Sequence, residues 1–550
     1  MRKTHVLLLM LLCIGAFFRL YNLNWGAPFY FHPDERNIAS SVSQLRFPDN
    51  MHPHFFAYGS LPIYTIFFTG YLYNLFTGCI TTHVCTVSFE QAILISRIYS
   101  SIFSILLIPL LFFLGQKLHS RNAGIIAALL TTTSVGLIQY AHFGTFELWL
   151  TFFSVCLFLL CLKVLHDKTY KAVFFVSVLC GLLIATKISS LTLVPLLFIT
   201  YFFAFFQKTT HTATVLRNGI RIILACFIGF IVCVLIYVVT NPYVFIDTQA
   251  FLGSIKYESD VALGILPVFY TGEFYGSIPG VFQMLRVYPF LISPLFTMFF
   301  IPSFLYVVIQ TVRRKDTSWL LLVGFFVFLF LSQAFLFVKW TRYVVPTLPF
   351  VYLILAVALS DSIAHKKSAL EKRSKNIFYG VFAILTIICF LFLMPYFITA
   401  LVKEDTRLIA KQYATLAIPH DALILSEVYD LGITPFNDTF THIDLFNFYD
   451  LDQYSPDYNL ETLKIALAEH TYIILPSQRI MKTRLQNTKQ FPKGNAFYEA
   501  LFEGKLGFQK IYETSCDNLC KIAYMGDPVF SYEQTVNVFD HPTVYIFKKQ

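Results

Sequence analysis

Long apolar runs separated by short polar connections make up most of the chain before residue 398. A helix needs about 20 predominantly apolar residues to cross the hydrocarbon core of a bilayer. Eleven runs have this character, so the pattern predicts an all-α polytopic membrane protein. The predicted spans are 6–23, 92–115, 123–141, 147–165, 171–187, 189–206, 219–240, 286–310, 318–338, 343–360 and 377–398.

Two apolar segments need a separate interpretation. The first, 6–23, follows Met1, Arg2 and Lys3 and has the layout of an export signal, but it lacks a small-x-small cleavage site. We expect it to remain in the chain as a signal anchor. The second, 61–76, contains Pro62, Asn74 and several aromatic residues, which favours an interfacial or re-entrant helix over a twelfth span.

Basic residues fix the predicted orientation, because cytoplasmic loops are enriched in Lys and Arg. If 61–76 does not cross the membrane, every short basic loop faces the cytoplasm, as does the N-terminus. We therefore place 24–89, 241–285 and everything after about residue 400 on the outer side. The basic loops carry Lys117/Arg121, Lys163/Lys168/Lys171, Lys208/Arg217/Arg221, Arg313/Arg314/Lys315 and Lys366/Lys367/Lys372/Arg373/Lys375.

Composition agrees with a membrane protein. The chain is 56% hydrophobic and 13% charged, which is too apolar for a surface exposed to water. Roughly 27 basic and 13 acidic side chains precede residue 398, and roughly 14 and 19 follow it. Outside the membrane part the sequence has no Lys/Arg-rich tract with interleaved aromatic residues. The formal charge of +9 therefore indicates membrane topology rather than a nucleic-acid surface.

The residues after 398 have the composition of a soluble domain. We expect a transmembrane catalytic domain at 1–398 and an extracytoplasmic α/β domain at 399–550, with no internal repeat in either. The predicted strands of the second domain are 422–425, 472–475 and 544–547, and its predicted helices are 405–416 and 460–469.

Two cysteine pairs lie on the predicted outer side, Cys79 with Cys85 and Cys516 with Cys520. Disulfides form in that compartment, so each pair can be bonded or free. A metal site at the second pair is less favoured, because no histidine-rich segment lies near it in the sequence.

The first outer loop brings two adjacent carboxylates close to the membrane surface. Asp34 and Glu35 follow Pro33, a few residues beyond the first span. A carboxylate there can accept the proton of an attacking hydroxyl or hold a metal ion. The same pair would also fit the first turn of a helix, where the helix dipole favours acids. Spacing alone leaves both interpretations open.

Other charged residues stand at the predicted outer ends of spans. Glu147 precedes an apolar run, and an ionisable group at that depth costs several kcal/mol unless it has a partner or a function. Lys187, Lys339 and Arg342 could neutralise phosphate oxygens. The structural alternatives are a first-turn acid for Glu147 and interfacial snorkelling beside aromatic residues for the cations.

No cofactor is indicated with certainty, and a divalent metal is the one candidate. His32, His52 and His54 lie in the same loop as Asp34 and Glu35 and could supply ligands. The sequence has neither a Gly-rich phosphate cradle nor a dinucleotide fingerprint. A substrate that brings its own activated leaving group would require neither.

Several short motifs follow one another along the chain. They are Pro33-Asp34-Glu35, Leu61-Pro62-Ile63-Tyr64, His142-Phe143-Gly144-Thr145-Phe146-Glu147-Leu148, Asn241-Pro242-Tyr243, Arg342-Tyr343-x-x-Pro346-x-x-Pro349 and Phe539-Asp540-His541-Pro542. In this order they resemble the GT-C superfamily of glycosyltransferases, and more closely its family 39 branch, which includes protein O-mannosyltransferases and the lipid A aminoarabinose transferase. The resemblance covers the membrane part well and the tail loosely. It departs at Glu147, where the family commonly has Asp, and the Trp-Trp-Asp-type signature of oligosaccharyltransferases is missing.

The resemblance implies inverting transfer of a sugar from a polyprenyl-phosphate donor to an acceptor hydroxyl on a lipid, glycan or protein. The reaction would take place at the extracytoplasmic face of a bacterial inner (plasma) membrane, among membrane lipids and without a nucleic-acid partner. The expected site residues are Asp34, Glu35 and Glu147 for catalysis, Lys187, Lys339 and Arg342 for the donor phosphate, and His32, His142 and Tyr343 for the substrate.

Two other classes of membrane protein would share this composition. A transporter or flippase of lipid-linked sugars would more often show symmetric halves and helices broken at mid-membrane, and the sequence shows neither. A polymerase or ligase of surface polysaccharide would also act outside the cell, but it would lack the acidic pair directly after the first span.

Overall fold

The computed structural model describes residues 2–78, 85–206, 212–365, 371–427, 431–453 and 455–550. The predicted Cys79–Cys85 pair includes Cys79, which lies outside the described residues, whereas Cys516 and Cys520 form a disulfide.

Helices dominate the chain as far as residue 402. They are α1 (Arg2–Leu20), α2 (Pro33–Gln44), α3 (Ser60–Thr77), α4 (Phe89–Leu118), α5 (Arg121–Thr132), α6 (Val135–His142), α7 (Glu147–Asp167), α8 (Tyr170–Thr186), α9 (Val194–Phe205), α10 (Thr212–Thr240), α11 (Tyr243–Ile246), α12 (Thr248–Leu263), α13 (Tyr288–Ile292), α14 (Pro294–Arg314), α15 (Thr317–Ala334), α16 (Thr341–Val344), α17 (Leu348–His365) and α18 (Glu371–Phe397).

The apolar helices fall on the eleven predicted spans. Within the described ranges, eight helical segments are long and apolar enough to cross a bilayer, and α5 with α6, bent by 47°, makes a ninth. The shorter apolar helices Thr4–Leu20 and Tyr170–Thr186 coincide with the two remaining predictions. The prediction of a polytopic membrane protein is confirmed. The predicted span 286–310 is interrupted, because Ser293 leaves the helical conformation and its side chain caps the start of α14.

A buried arginine ties α1 to its neighbours. Arg19 is fully buried and donates to Ser104 Oγ at 2.7 Å and to the carbonyls of Thr131 and Thr132 at 2.6 and 3.0 Å. These bonds supply the partners that a guanidinium needs when it leaves water. The contact fixes α1 against α4 and α5, so that the loop after α1 starts from a defined point.

Helix α3 begins in close contact with the end of α8. The amide of Gly59 donates to the carbonyl of Thr186 at 3.0 Å, and the next amide donates to Asn241 Oδ1 at 2.6 Å. A Cβ on Gly59 would collide with the carbonyl group of Ala185, so only glycine permits this approach. Tyr58 is thereby held beside the residue that follows α8. The interfacial position of α3 stays a prediction.

The tail folds as an α/β unit, as its composition predicts. Its mixed sheet has the order β2-β1-β3-β5-β4, with β1 parallel to β2 and β3, and β5 antiparallel to β3 and β4. The three predicted strands and two predicted helices are confirmed. The strands are β1 (Ile424–Glu427), β2 (Ile443–Phe446), β3 (Tyr472–Leu475), β4 (Phe508–Glu513) and β5 (Tyr545–Lys549), and the helices are α19 (Thr406–Ala417), α20 (Leu460–Glu469), α21 (Arg479–Gln486), α22 (Pro492–Phe502) and α23 (Asn518–Ala523).

The membrane part and the tail interlock in two places. In the first, the segment before α13 docks on α21, where Lys482 and Glu273 form an ion pair at 2.9 Å. In the second, the segment between α23 and β5 enters the helical part, where Gln139 donates to the carbonyl of Val536 at 2.6 Å and Tyr396 donates to Asp540 at 3.0 Å. Residues close in sequence to these contacts, Tyr270 and Arg479 for the first and Thr535 and Phe539 for the second, line one cavity.

Candidate functional site

A cavity of about 530 Å³ lies between the helical part and the tail. Residues from α2, α7, α12, α16 and α21 line it, together with the loops that follow α8 and precede β5. It is large enough to hold a sugar and part of a second molecule. Its carboxylate, ammonium and guanidinium groups belong to Asp34, Glu147, Lys187, Glu258, Arg342 and Arg479.

Asp34 presents one carboxylate oxygen to this cavity. It lies in the first turn of α2, after Pro33, so the helix-start interpretation and the cavity position are both correct. Arg342 and the hydroxyl of Tyr58, at 3.2 Å, both donate to Oδ2. Within the described residues no hydrogen bond uses Oδ1, and the side chain is 23% exposed. Oδ1 is therefore free to accept a proton or a hydroxyl hydrogen bond.

Electrostatics keep Asp34 ionised. Burial favours the neutral acid, but the nearby cations of Arg342 and Lys187 hold the pKa of Asp34 below its usual range. Burial also lowers the pKa of His32, which lies against Phe143 and Phe539 at ring distances of 4.7 and 4.3 Å. An ionised carboxylate thus stands beside a predominantly neutral imidazole.

Glu35 points away from the cavity. Its oxygens accept from Arg97 Nε at 2.9 Å and Arg97 Nη2 at 2.7 Å, and the amide of Gly144 donates to it as well. Both side chains of the ion pair are fully buried. Since both oxygens are occupied, this carboxylate joins α2, α4 and the loop before α7. The geometry favours a structural role over the predicted catalytic one.

Glu147 and Lys187 face the cavity without a hydrogen bond between side chains. Glu147 is the first residue of α7 and is 2% exposed, and neither of its carboxylate oxygens accepts a hydrogen bond from the described residues. Lys187 follows α8, and its ammonium lies 5.1 Å from the ring centre of Tyr58 and 5.2 Å from that of Tyr343. The site therefore holds an unsatisfied acid and a cation supported by aromatic faces.

The structure does not bring all the predicted site residues together. His32, Lys187, Arg342 and Tyr343 line the cavity. Lys339 instead lines a separate crevice and donates to the carbonyl of Phe337 at 3.0 Å.

His142 also lies away from the cavity. Its ring nitrogens contact the carbonyls of Ile138 and Tyr21 at 2.8 and 2.7 Å. The ring therefore joins α6 to the end of α1. Its predicted contact with the substrate is not supported by this geometry.

The loop histidines do not assemble a metal site. His52 stacks on His54 with ring centres 3.9 Å apart, and its Nε2 lies 3.3 Å from Asp247. Across the ranges that the structure describes, no group of three His, Cys, Asp or Glu side chains has the arrangement of metal ligands. The possible metal site at His32, His52 and His54 is not formed.

Many residues that line the cavity were not predicted, and three of them, Tyr58, Glu258 and Arg479, bear on its charges. Tyr58 supports both Asp34 and Lys187, and Glu258 projects from α12. Burial raises the pKa of Glu258, although Arg342 and Lys187 oppose this change. Arg479 comes from the tail. A sequence signal existed only for Glu258, because it is an acid in a largely apolar segment of the predicted outer loop.

No protein-family model matches the chain, and no curated protein matches it by sequence. Solved structures do match. The archaeal oligosaccharyltransferase AglB from Archaeoglobus fulgidus, in complex with an inhibitory peptide and a dolichol-phosphate, has a TM-score of 0.55 and 12% identity over 100% of this chain and 88% of that chain. The apo form of the oligosaccharyltransferase from the same organism has a TM-score of 0.55 and 13% identity over 99% and 88%. ArnT from Cupriavidus metallidurans bound to undecaprenyl phosphate has a TM-score of 0.49 and 14% identity over 88% and 94%.

The two matches with a TM-score of 0.55 show the fold. The chain shares the fold of the two Archaeoglobus fulgidus oligosaccharyltransferase structures, with a helical membrane part followed by a C-terminal unit that contains a small sheet. The resemblance indicated by the sequence motifs is confirmed at this level. Identities of 12–13% show the fold and do not transfer a substrate.

Proposed function

We propose that this protein is an inverting glycosyltransferase that moves a sugar from a polyprenyl-phosphate donor to an acceptor hydroxyl. The observation that carries the proposal is the free Oδ1 of ionised Asp34, in a cavity that also presents the cations of Lys187 and Arg342. The shared fold with solved glycosyltransferases supports it. General base and phosphate neutralisation are the two functions that such a transfer requires.

The proposed reaction is a single displacement. The acceptor hydroxyl donates its hydrogen bond to Asp34 Oδ1, and its oxygen attacks the anomeric carbon of the donor sugar. As the new carbon–oxygen bond forms, the bond to the phosphate oxygen breaks and its electron pair leaves with the polyprenyl phosphate. The hydroxyl proton passes to Asp34. Attack opposite to the leaving group inverts the anomeric centre.

Phosphate binding is assigned to Lys187 and Arg342. A side pocket of about 40 Å³ shares both cations, Glu147 and Ser189 with the main cavity and adds Ser190. An ammonium, a guanidinium and hydroxyl donors are the groups that neutralise and orient a phosphate. We place the donor phosphate here, with Glu147 orienting the hydroxyls of the sugar.

The proposed architecture keeps the division predicted from the sequence. Residues 1–398 form the transmembrane catalytic domain, and residues 399–550 form an extracytoplasmic domain that completes the cavity. The protein would reside in a bacterial inner membrane with its N-terminus in the cytoplasm. The described residues offer no three-ligand metal cluster, so no step of the proposal uses a metal ion.

The direct test is turnover by purified protein with Asp34→Asn. The variant keeps the shape of the side chain and removes the base, so we expect at least a 100-fold loss of sugar transfer with normal abundance and membrane insertion. Asp49→Asn, an exposed acid of the same loop, serves as the matched control. Turnover by Asp34→Asn equal to that of the wild type would remove the proposed base.

Mass spectrometry of surface glycans and lipid-linked sugars from a deletion strain identifies the substrates. A transferase mutant should accumulate the donor and lack one sugar on one acceptor. If the donor instead stays trapped on the cytoplasmic side, the protein is a flippase and the proposal fails.

A further inference from the structure

Arg479 is a cation of the tail that reaches the cavity of the helical part. It is the first residue of α21, directly after a short turn that follows β3, and it is 8% exposed. Its side chain lines the same cavity as Asp34. A guanidinium removed from water to this extent normally forms an ion pair or several hydrogen bonds.

The surroundings of Arg479 are aromatic rather than acidic. Its guanidinium carbon lies 5.7, 5.3 and 5.7 Å from the ring centres of Phe269, Tyr270 and Phe539. Among the described residues, no carboxylate lies within ion-pair distance of this side chain, and its Nε has no hydrogen-bond partner. Three aromatic faces orient the guanidinium but leave its donors unused.

The other two cations of α21 show the contrast. Lys482 pairs with Glu273 at 2.9 Å, and Arg484 donates to the carbonyl of Tyr449 at 3.0 Å. The Nε of Arg484 also lacks a partner, but its two terminal nitrogens donate to the protein, to Phe269, Thr483 and Tyr449. Arg479 is the cation of this helix whose donors face the cavity without a partner.

We propose that Arg479 binds an anionic group, a phosphate or a carboxylate, on the acceptor molecule. The inference rests on the proposed function and adds the chemical class of the acceptor. A planar guanidinium matches both kinds of anion with two parallel hydrogen bonds. The acceptor carries this group on a lipid or on a water-soluble molecule, and the experiment below separates the two sources.

The position of Arg479 favours the acceptor over the donor. Phe539 lies between Arg479 and His32, with 5.7 Å from its ring centre to the guanidinium and 4.3 Å to the imidazole. His32 is two residues before Asp34. Contacts from Arg479 through Phe539 to His32 therefore connect the tail to the segment that carries the proposed base. Lys187 and Arg342 reach the same base from the membrane helices. We therefore place the donor phosphate beside Lys187 and Arg342 and the acceptor anion beside Arg479, in the same cavity.

Binding of small aromatic anions tests the site without knowledge of the acceptor. The probes are phenyl phosphate and benzoate, with phenol as the neutral match, titrated calorimetrically into the full-length protein in nanodiscs. Saturating undecaprenyl phosphate occupies the donor side. We expect Arg479→Gln to weaken both anions at least tenfold and to leave phenol unchanged. Lys489→Gln, which removes an exposed cation of the same domain, should bind all three probes as the wild type does.

Unchanged affinity of both anions for Arg479→Gln would overturn the inference. If that variant is not monodisperse, Arg479→Lys replaces it, because the lysine keeps the buried charge and loses the planar fork. We expect Arg479→Lys to bind phenyl phosphate at least threefold more weakly than the wild type. Equal binding by a folded Arg479→Lys protein would count against the inference.

Transfer kinetics identify the source of the anion. Lipid extract and aqueous extract of the deletion strain are supplied separately as acceptors. Arg479→Gln should raise the acceptor KM at least tenfold in the extract that supports transfer and change the donor KM less than twofold. A rise in the donor KM alone would contradict the inference. If the wild type transfers no sugar but binds the anions through Arg479, the proposed function fails and the anion site stands.

Discussion

At the scale of single residues, two adjacent acids have opposite surroundings. Successive side chains on a helix point about 100° apart, so Asp34 and Glu35 cannot face the same partner. Asp34 faces the cavity and shares one oxygen with Arg342 and Tyr58. Glu35 faces Arg97, and the pair is fully buried. The first acid is therefore available for chemistry, and the second holds the loop in place.

Replacement of Glu35 should affect stability first. In Glu35→Gln the buried guanidinium of Arg97 loses its countercharge, and we expect a destabilisation of about 3–5 kcal/mol. The measurement is the apparent Tm in detergent, compared with that of Asp34→Asn. The second substitution Arg97→Met should recover part of the loss. A Glu35→Gln protein with a wild-type Tm and no activity would instead assign Glu35 to catalysis.

Asp540 should make stability depend on pH. Burial raises its pKa to about 6, although hydrogen bonds from Gln139 and Tyr396 oppose the change. The folded state therefore binds a proton between about pH 4 and 6 that the unfolded chain has lost, so stability falls as pH rises through this range. The penalty above pH 6 is on the order of 2–3 kcal/mol.

Asp540→Asn keeps an oxygen for both donors and removes the charge. We expect its apparent Tm to exceed that of the wild type at pH 8 and to approach it near pH 4.5. Thermal scans of both proteins across this range provide the measurement. A constant difference between the two Tm values would show that Asp540 does not titrate there.

The sequence indicates which residues are ionisable, but their roles depend on distant partners. Asp34, Lys187 and Arg342 are predictable because charges at the ends of apolar spans need a reason to be there. The role of Glu35 depends on Arg97, which belongs to α4. Nothing in the sequence indicates that α4 packs against α2. The cavity position of Arg479 arises only when the tail docks on the helices.

At the scale of elements, the junction of α3 and α8 positions two residues of the cavity. Gly59 contacts the end of α8 through its backbone, which holds Tyr58 beside Lys187. We expect Gly59→Ala to lower transfer at least tenfold and to destabilise the protein by about 1–3 kcal/mol, because the added Cβ meets backbone that cannot move aside. Gly253→Ala on α12 is the control, since its Cβ enters open space. Wild-type turnover by Gly59→Ala would show that the close contact is dispensable.

The strength of the apolar pattern decides which elements can be predicted. Membrane spans are predictable because each is a long run of apolar residues. The buried strands β1, β3 and β5 are predictable because they coincide with short apolar runs. The strands β2 and β4 lie at the two edges of the sheet, where several side chains are exposed and polar. Such strands lack a continuous apolar run, so the pattern does not reveal them.

At the scale of the whole molecule, the orientation in the membrane determines where the cavity opens. We expect Asp49→Cys, in the loop of Asp34, to react with a membrane-impermeant maleimide in intact spheroplasts, on a background without native cysteines. His166→Cys, exposed in the last turn of α7, should react only after permeabilisation. The opposite labelling pattern would place the cavity on the cytoplasmic side and remove the proposed extracytoplasmic reaction.

The residues that line the cavity are far apart in the sequence, so they are synthesised at different times. The ribosome makes Asp34 and Tyr58 early, and it makes Thr535 and Phe539 near the end of the 550-residue chain. A nascent protein that lacks Thr535 and Phe539 would thus have the proposed base but not this part of the cavity wall. If the proposed function is correct, catalytic competence would begin only after Thr535 and Phe539 have docked among the helices and completed the cavity.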